Sequence, residues 1–341
     1  MKEIKTVDAV GHVLCHDITR IVKDVTKGVA FSKGHVVTEE DIPALLALGK
    51  ENLYVWEKQE GMLHENEAAD ILYHICAGQH MRPGPVKEGK IEVIADADGL
   101  LQVDVERLRA VNSLGQMMIA TRHTNTPVKQ GEVLAGTRVI PLIIELEKME
   151  RAQAMAGKSP LLALRPYRKK KVAIITTGSE VYKGLIQDTF TPVLRSKLDE
   201  FAWEEIGHTV LGDDPGAITD AILSFLDEGV ELVLCTGGMS VDPDDKTPLA
   251  IKNTGARIVS YGAPVLPGAM FLLSYTDSGI PIMGLPGCVM YARRTIFDLI
   301  LPRILADVPV TEKDLAALGH GGLCLNCREC IFPNCAFGAG V

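Results

Sequence analysis

Glycines and carboxylates at the ends of several apolar segments have types and spacing suited to chemistry. The set is Gly178 with Glu180 and Asp188, then Asp213 and Asp214, then Gly237 and Gly238 with Ser240, Asp242, Asp244 and Asp245. Backbone N–H groups next to glycines can bind phosphate oxygens, and carboxylates bind Mg²⁺, which prefers oxygen ligands. The set therefore predicts a site for a phosphate-bearing ligand and Mg²⁺.

Each of these residues also has an ordinary structural interpretation. A Gly-Gly pair after a strand is often only a turn, and Asp213 or Asp214 is a suitable cap for the helix expected from Ala217. Three such strand ends in one sheet favour a binding site over three unrelated turns. The full P-loop pattern Gly-x4-Gly-Lys-Ser/Thr is absent, which disfavours a P-loop nucleotidase.

The C-terminal tail carries a second candidate site. Half of the chain's 8 cysteines, Cys324, Cys327, Cys330 and Cys335, follow one another with the spacing C-x2-C-x2-C-x4-C. Four thiolates suit a tetrahedral Zn²⁺ ion or an Fe–S cluster, and the tight spacing is closer to that of ferredoxins. An Fe–S cluster, Zn²⁺ and no metal at all remain open, whereas a disulfide knot is disfavoured in a reducing compartment.

The segment from Lys171 onward alternates buried-type strands with amphipathic helices. "KVAIITTG", "IGHTVLG" and "VELVLCTGG" read as strands, while "TPVLRSKLDEFAW" and "GAITDAILSFLDEG" read as helices between them. Such alternation predicts an α/β domain with a three-layer parallel sheet. Because ligands of open α/β sheets bind beyond the carboxyl ends of the strands, the glycines and carboxylates above are expected at one edge.

The preceding half is expected to be mostly β with small helices. "KIEVIADADGLLQVD" alternates like a hairpin with Asp98-Gly99 as its turn, and "EAADILYHICAG" is predicted to be a helix. The predicted organisation is a β/α segment at 1–65, a mostly-β region with a linker helix at 66–165, the α/β domain at 166–310, and the cysteine-rich tail at 311–341.

Charge and hydropathy exclude several function classes. The net charge of −9 disfavours a nucleic-acid binder, and no apolar run is long enough to span a membrane. The start of the sequence carries no apolar secretory segment, so a cytoplasmic location is expected.

The strand-end motifs resemble, in order and spacing, the molybdopterin-binding domain of molybdenum-cofactor biosynthesis proteins, in particular molybdopterin molybdotransferases. The matching pieces are "VAIITTGSE", "GDDPGAI", "LVLCTGGMSVDPDD", "PVLPG" and "IMGLPG". The resemblance implies binding of adenylylated molybdopterin, Mg²⁺ and molybdate, with an apo-molybdoenzyme as a possible partner and a homodimer as the assembly.

The resemblance also implies roles for individual residues. Glu180, Asp213 and Asp245 are implied as the carboxylates at the reacting centre. The pterin-binding positions implied are Thr177, Gly178, Asp188, Gly237, Gly238, Ser240, Pro267, Gly268, Pro286 and Gly287.

Departures from the family pattern leave two functions open. Phe190 stands where the family commonly has Asn, Cys288-Val289 replaces Asn-Pro, and the transferase's Ser-x-x-Asp-Gly-Tyr-Ala motif is absent. The first hypothesis is Mg²⁺-dependent insertion of molybdate into adenylylated molybdopterin. The second is a non-catalytic pterin carrier, chaperone or sensor whose tail holds a metal cluster.

Overall fold

The fold was examined in a computed structural model, which describes residues 2–22, 26–55, 60–240, 242 and 245–340. The strands of the first half are β1 (Lys2–Lys5), β2 (Ile18–Val22), β3 (Thr26–Phe31), β4 (Asn52–Val55), β5 (Met62–His64), β6 (Met81–Pro83), β7 (Lys90–Ala95), β8 (Gly99–Val103), β9 (Met117–Thr121), β10 (Thr126–Val128), β11 (Val133–Val139), β12 (Ile143–Glu145) and β13 (Leu162–Pro166). The helices of this half are α1 (Asp41–Ala47), α2 (Glu65–Cys76), α3 (Val105–Asn112) and α4 (Leu146–Ala156).

The second half supplies the larger sheet and its helices. Its strands are β14 (Lys170–Thr177), β15 (Trp203–Leu211), β16 (Leu232–Thr236), β17 (Arg257–Tyr261), β18 (Leu272–Tyr275) and β19 (Pro281–Leu285). Its helices are α5 (Ser179–Tyr182), α6 (Phe190–Leu198), α7 (Pro215–Asp227), α8 (Thr247–Asn253), α9 (Ile296–Leu305) and α10 (Glu312–Ala317).

The chain divides into two compact units whose segments interleave. The first unit contains residues 1–94, 104–121 and 133–162, and the second contains 95–103, 122–132 and 163–341. Strands β8 and β10 therefore belong to the second unit, although they lie in the middle of the sequence.

The second unit is built on a six-stranded sheet of order β15-β14-β16-β19-β18-β17. Strands β15, β14, β16 and β19 run parallel to one another, whereas β18 is antiparallel to both of its neighbours. The predicted α/β sheet is confirmed, and its parallel part extends over four strands. Strand β17 and helix α8 were not anticipated from the sequence, and they complete the far edge and one face.

Alternate residues of each central strand face two separate cores, as the two-residue period of a strand requires. Val172 and Ile174 of β14 pack with apolar residues of α6 and α9 on one face. Ala173 and Ile175 pack with residues of α7 and α8 on the other. Helices thus cover both faces, which confirms the three-layer arrangement.

The first unit consists of small antiparallel sheets, as predicted for the N-terminal half. These are β1 with β4, β2 with β3, β5 with β12, and a four-stranded sheet of order β6-β7-β11-β9. The expected hairpin around Asp98-Gly99 is wrong, because β7 and β8 belong to different sheets. Strand β7 pairs with β6 and β11, whereas β8 pairs with β10 and β13. Alternation fixed both strands, but it carries no information about which strand each one pairs with.

Helix lengths add one observation. Within the described residues, no helix is both long and apolar enough to cross a membrane.

Candidate functional site

Four loops meet at the carboxyl edge of the parallel strands. Thr177, the last residue of β14, lies opposite Leu211 at the end of β15, and Thr236 at the end of β16 lies opposite Leu285 of β19. The loops that begin at Gly178, Gly212, Gly237 and Pro286 therefore leave the sheet side by side. This is the place where open α/β sheets bind ligands.

The loop containing Pro267 and Gly268 reaches the same edge from the opposite direction. Leu272, the first residue of the antiparallel strand β18, lies opposite Gly284 near the end of β19. Gly268 adopts φ +134° and lies so close to Ile296 of α9 that a side chain would overlap it. Glycine at this position allows the loop to pack against the helix.

The first loop is joined to the second by a carboxylate. Asp213 Oδ2 accepts a hydrogen bond from the backbone N–H of Ser179 at 2.9 Å. Its neighbour Asp214 accepts from Ala217 N at 2.7 Å and so caps α7, as the structural interpretation allowed. Asp213 thus lies beside Gly178, and Asp214 serves the helix.

The Gly-Gly turn packs against the end of β14. Thr177 Oγ1 donates to the carbonyl of Thr236 at 3.0 Å and lies 3.0 Å from Thr247 Oγ1. Gly237 (φ +84°) lies so close to the carbonyl of Thr177 that a Cβ atom would not fit. Gly238 (φ +55°) lies so close to the hydroxyl of Thr247 that a Cβ atom there would overlap it. The turn is therefore required by packing, whatever ligand it also approaches.

The acidic loop after this turn contains a hydrogen bond between one of its carboxylates and its own backbone. Asp245 Oδ2 accepts from Ser240 N at 2.7 Å, and Tyr261 Oη donates to the carbonyl of Met239 at 3.0 Å. Burial, followed by the nearby charge of Asp245, raises the pKa of Tyr261. Asp242 is exposed, and Asp244 lies outside the described residues.

Asp188 lies in a polar network between β14 and α6. Its carboxylate accepts from the N–H groups of Phe190 and Thr191 at 2.9 and 3.0 Å, and from the hydroxyls of Thr191 and Thr176 at 2.5 and 3.2 Å. Burial favours the protonated acid, but these hydrogen bonds together outweigh it and leave the pKa of Asp188 lowered.

His208 of β15 completes this network, and sequence reasoning missed it. Its Nε2 lies 3.0 Å from Thr176 Oγ1, 3.2 Å from Thr191 Oγ1 and 3.7 Å from Asp188 Oδ2. Burial and then the charge of Arg195 lower the pKa of His208. The available signal was a histidine within the predicted strand "IGHTVLG".

The remaining candidate residues are less enclosed. Glu180 is exposed on the short helix α5, and Pro286-Gly287 begins a single 3₁₀ turn, Gly287–Met290. Cys288 in that turn is half-buried, and burial raises the pKa of its thiol, which disfavours the reactive thiolate.

Metal ligands are not preassembled at this edge. Across the described ranges, no three His, Cys, Asp or Glu side chains gather as a ligand set for one ion. Asp213 and Asp245 each use one carboxylate oxygen to hold a loop backbone. Mg²⁺ commonly takes one or two protein carboxylates and completes its shell with substrate phosphates and water, so this donor set fits ligand-dependent Mg²⁺ binding.

Comparison with protein families assigns the second unit. Residues 173–306 match the model described as "Probable molybdopterin binding domain", and residues 3–57 match a domain of unknown function (DUF8806). The chain therefore carries a molybdopterin-binding domain of the type found in molybdenum-cofactor biosynthesis, which confirms the resemblance seen in its motifs.

Curated relatives match over part of their length. The chain is similar to the molybdopterin molybdenumtransferase of Synechococcus elongatus, with 24% identity over 54% of this chain and 46% of the relative. It is also similar to a CinA-like protein of Mycolicibacterium gilvum, with 35% identity over 23% of this chain and 18% of the relative. The chain thus spans less than half the length of these relatives.

Two solved structures are also similar to parts of the chain. The molybdopterin biosynthesis enzyme MoaB of Thermus thermophilus matches with 23% identity and a TM-score of 0.34, covering 39% of this chain and 91% of that one. A molybdenum cofactor biosynthesis protein of Pyrococcus furiosus matches with 16% identity and a TM-score of 0.28, covering 90% and 64%.

Proposed function

We propose that this protein binds adenylylated molybdopterin at the carboxyl edge of the β14–β19 sheet and inserts molybdate into it, releasing AMP. The observation that carries the proposal is the convergence, in a family-matched domain, of the loops at Gly178, Gly237, Pro267 and Pro286 on one edge. The glycine-lined turns would admit the phosphates of the ligand close to the backbone.

Carboxylates on two of these loops would position the reacting groups. Asp213 lies against the Gly178 loop and Asp245 against Ser240, so both are held by backbone hydrogen bonds. These two side chains would hold Mg²⁺ together with ligand phosphates, and the bound ion would offset phosphate charge. Glu180 is exposed at the first loop, so its carboxylate would be accessible to bound ligand.

The alternative function is a non-catalytic carrier, chaperone or sensor of the pterin. The absence of the Ser-x-x-Asp-Gly-Tyr-Ala motif favours it, and its metal-bearing tail would dock a partner or report redox state. The two functions share the binding site, and they differ in whether AMP leaves.

One experiment separates them. Purified protein is mixed with adenylylated molybdopterin, Mg²⁺ and molybdate, and both pterin binding and AMP release are measured. Binding with AMP release supports the insertase, binding without release supports the carrier, and no binding contradicts both.

Asp213→Asn is the informative variant, because the amide oxygen can still accept from Ser179 N while the charge is lost. We expect AMP release to fall by about a hundredfold to a thousandfold, the range of a lost electrostatic contact to a developing charge. Asp220→Asn, an exposed carboxylate on α7, is the matched control and should leave the rate unchanged.

The proposal extends to assembly and location. A homodimer is what the resemblance implies, a cytoplasmic location is proposed with it, and delivery of the product to an apo-molybdoenzyme would complete the role.

A further inference from the structure

The cysteine-rich tail is fixed to the loop that contains Pro267 and Gly268. Leu266 N donates to the carbonyl of Gly322 at 2.9 Å, and Cys324 N donates to the carbonyl of Leu266 at 2.8 Å. These bonds make a parallel bridge between Leu266 and Leu323. The first cysteine of the cluster is therefore held by the backbone of the second unit.

The far end of the tail returns to its beginning. Gly338 N donates to the carbonyl of Gly321 at 2.9 Å, and His320 Nδ1 lies 2.7 Å from the carbonyl of Gly340. Phe337 is buried in the core beside α9. The segment between these anchors is thus a closed loop that carries all four cysteines.

All four thiols line one cavity inside this loop. Cys324 and Cys335 are half-buried, while Cys327 and Cys330 are exposed at its mouth. The cavity has a volume of about 270 Å³, and its remaining wall is largely apolar, with Leu323, Ile331, Phe332 and Phe337. That volume is roughly twenty times the ~10–15 Å³ that one water molecule occupies on the same measure.

The distribution of the four thiols around the wall of one cavity favours the larger of the two metal groups that the spacing left open. A tetrahedral zinc site has Zn–S distances of about 2.3 Å, which brings its four sulfurs within about 3.8 Å of one another. Within the described part of the chain, no three such ligands converge in this way. A [4Fe–4S] cluster binds each thiolate to a different iron, so its ligands surround a volume instead of meeting at a point.

Cations also border the cavity. Arg293 and Arg294 line it, with Glu329 as the opposing charge. Arg293 Nη1 donates to the carbonyl of Arg328 at 2.8 Å, and the Arg294 guanidinium lies 5.0 Å from the centre of the Phe332 ring. Both arginines thus contact the cysteine loop. Arg294 is paired with Glu200 and Asp298, so Arg293 is the one whose charge would offset that of a thiolate-ligated cluster.

We propose that Cys324, Cys327, Cys330 and Cys335 ligate a [4Fe–4S] cluster in this cavity. When a preformed [4Fe–4S] cluster is transferred to this loop, each thiol releases its proton and its sulfur replaces one ligand on one iron, so the oxidation state of the cluster does not change. The cluster would lie at the end of the tail bridge to Leu266, next to the loop proposed to meet the pterin. The site is additional to the proposed function, because pterin binding at the sheet edge needs no iron.

The full-length protein, produced with ample iron and purified without oxygen, tests the proposal. Iron, acid-labile sulfide and zinc are quantified together with the visible spectrum before and after dithionite. We expect about four irons and four sulfides per chain and an absorbance that bleaches on reduction. One zinc per chain without sulfide would overturn the proposal.

Cys330→Ser is the informative variant, because the exposed side chain can lose its thiol without disturbing the core. Iron and sulfide should fall severalfold, with the far-UV circular dichroism unchanged. The control is Cys288→Ser, which removes a half-buried thiol of the same unit that does not line the cavity, and which should retain both. Equal iron in the two variants contradicts the ligand assignment.

Reconstitution of the metal-free protein provides a second test of the ligand set. Metal-free protein is incubated anaerobically with sulfide and equal amounts of ferrous and ferric iron, which match the oxidation state of a [4Fe–4S]²⁺ cluster, or with Zn²⁺ alone. Uptake of iron with sulfide supports the cluster, whereas uptake of zinc only, or of neither, overturns it. Pterin binding measured on the same samples reports the proposed function separately.

Discussion

At the scale of single residues, a buried polar network fixes the start of α6. Asp188, Thr176, Thr191 and His208 contact one another between β14, α6 and β15. The carboxylate of Asp188 already accepts four hydrogen bonds from the protein. A pterin ligand that contacts Asp188 would therefore bind to a side chain whose position is set in advance.

His208 should make stability depend on pH. Burial lowers its pKa in the folded state, so as pH falls the unfolded chain binds a proton first, and stability present above about pH 6.5 is lost below it. The charged groups facing it are Arg195, Asp188 and Glu205. His208→Gln should reduce the loss of unfolding free energy between about pH 7 and pH 5, by at most about 1.4 kcal/mol per pH unit. Urea denaturation across this range measures the difference, and parallel curves would contradict it.

Gly237 should tolerate no side chain. A Cβ there would overlap the carbonyl of Thr177, and the residue adopts φ +84°. We expect Gly237→Ala to lower the unfolding free energy by about 2–4 kcal/mol, since strain and overlap add. Gly255→Ala has the same strain at φ +83° but open space around its Cβ, so it should lose about 1 kcal/mol. Equal losses in the two variants would show that the close approach to β14 has no energetic weight.

At the scale of elements, an ion pair joins the end of α6 to the start of α9. Lys197 Nζ lies 2.9 Å from both carboxylate oxygens of Asp298 and donates to the carbonyl of Arg293 at 2.8 Å. Asp298 also pairs with Arg294 and closes the capping box with Thr295. Helix α6 therefore positions the start of α9, which directly follows the two arginines that contact the cysteine loop.

Breaking this pair should be costly. Lys197→Met would leave Asp298, with 3% of its side chain exposed, with Arg294 as its remaining cationic partner. We expect a loss of roughly 1.5–3 kcal/mol in unfolding free energy, the range for hydrogen bonds to a charged group. Arg195, also on α6, forms a more exposed ion pair with Glu205 of β15. Arg195→Met removes this pair and should lower the unfolding free energy by only about 0–1 kcal/mol. Denaturant midpoints for both variants test the contrast, and similar midpoints would contradict it.

The tail bridge depends on Gly322. A Cβ at this position would overlap the carbonyls of Leu318 and Pro264, so Gly322→Ala should open the pairing with Leu266. Amide hydrogen exchange at Leu266 and Cys324 should accelerate by roughly tenfold or more. Gly319→Ala is the control, because the nearest atoms lie 3.4 Å from the added Cβ. In this variant the amides of Leu266 and Cys324 should remain protected from exchange. Unchanged exchange in Gly322→Ala would argue against the bridge.

At the scale of the whole molecule, the second unit draws on two segments from the middle of the sequence. Residues 95–103 and 122–132 belong to it, and Tyr167 N donates to the carbonyl of Asp98 at 3.3 Å. Lys129 also pairs with Asp98 at 2.9 Å and reaches the carbonyl of Glu200. A boundary at residue 166 would therefore cut through this unit.

A fragment of residues 166–341 should be less stable than the same residues in the full chain. It loses β8, β10 and most of β13, so we expect weaker hydrogen-exchange protection of the β14 amides. Gly99→Ala tests the pairing of β8 with β13 in the full chain, because the added Cβ would come within 2.5 Å of the Arg165 carbonyl oxygen. Gly136→Ala, with open space around its Cβ, is the control. Equal protection in fragment and full chain would support a boundary near residue 166.

Local patterns anticipated much of the fold and of the site. The strands β14, β15 and β16, the helices between them and the loops at Gly178 and Gly237 all follow from periodicity and from turn residues. The start of helix α9 is less evident from periodicity, because the helix begins after Thr295, whose capping box with Asp298 depends on the fold around it. The His208 network was missed, since its members are distant in sequence.

The sequence by itself determined which elements form, that the second unit is an α/β domain, and that four thiols stand at ligand spacing. These properties depend on side-chain period and on residue type, which are local. Only the tertiary structure decided that β7 and β8 join different sheets, that Asp213 meets Ser179, and that the four thiols line one cavity against Leu266. Pairing of segments far apart in the chain depends on burial and complementary surfaces, which no short stretch of sequence contains.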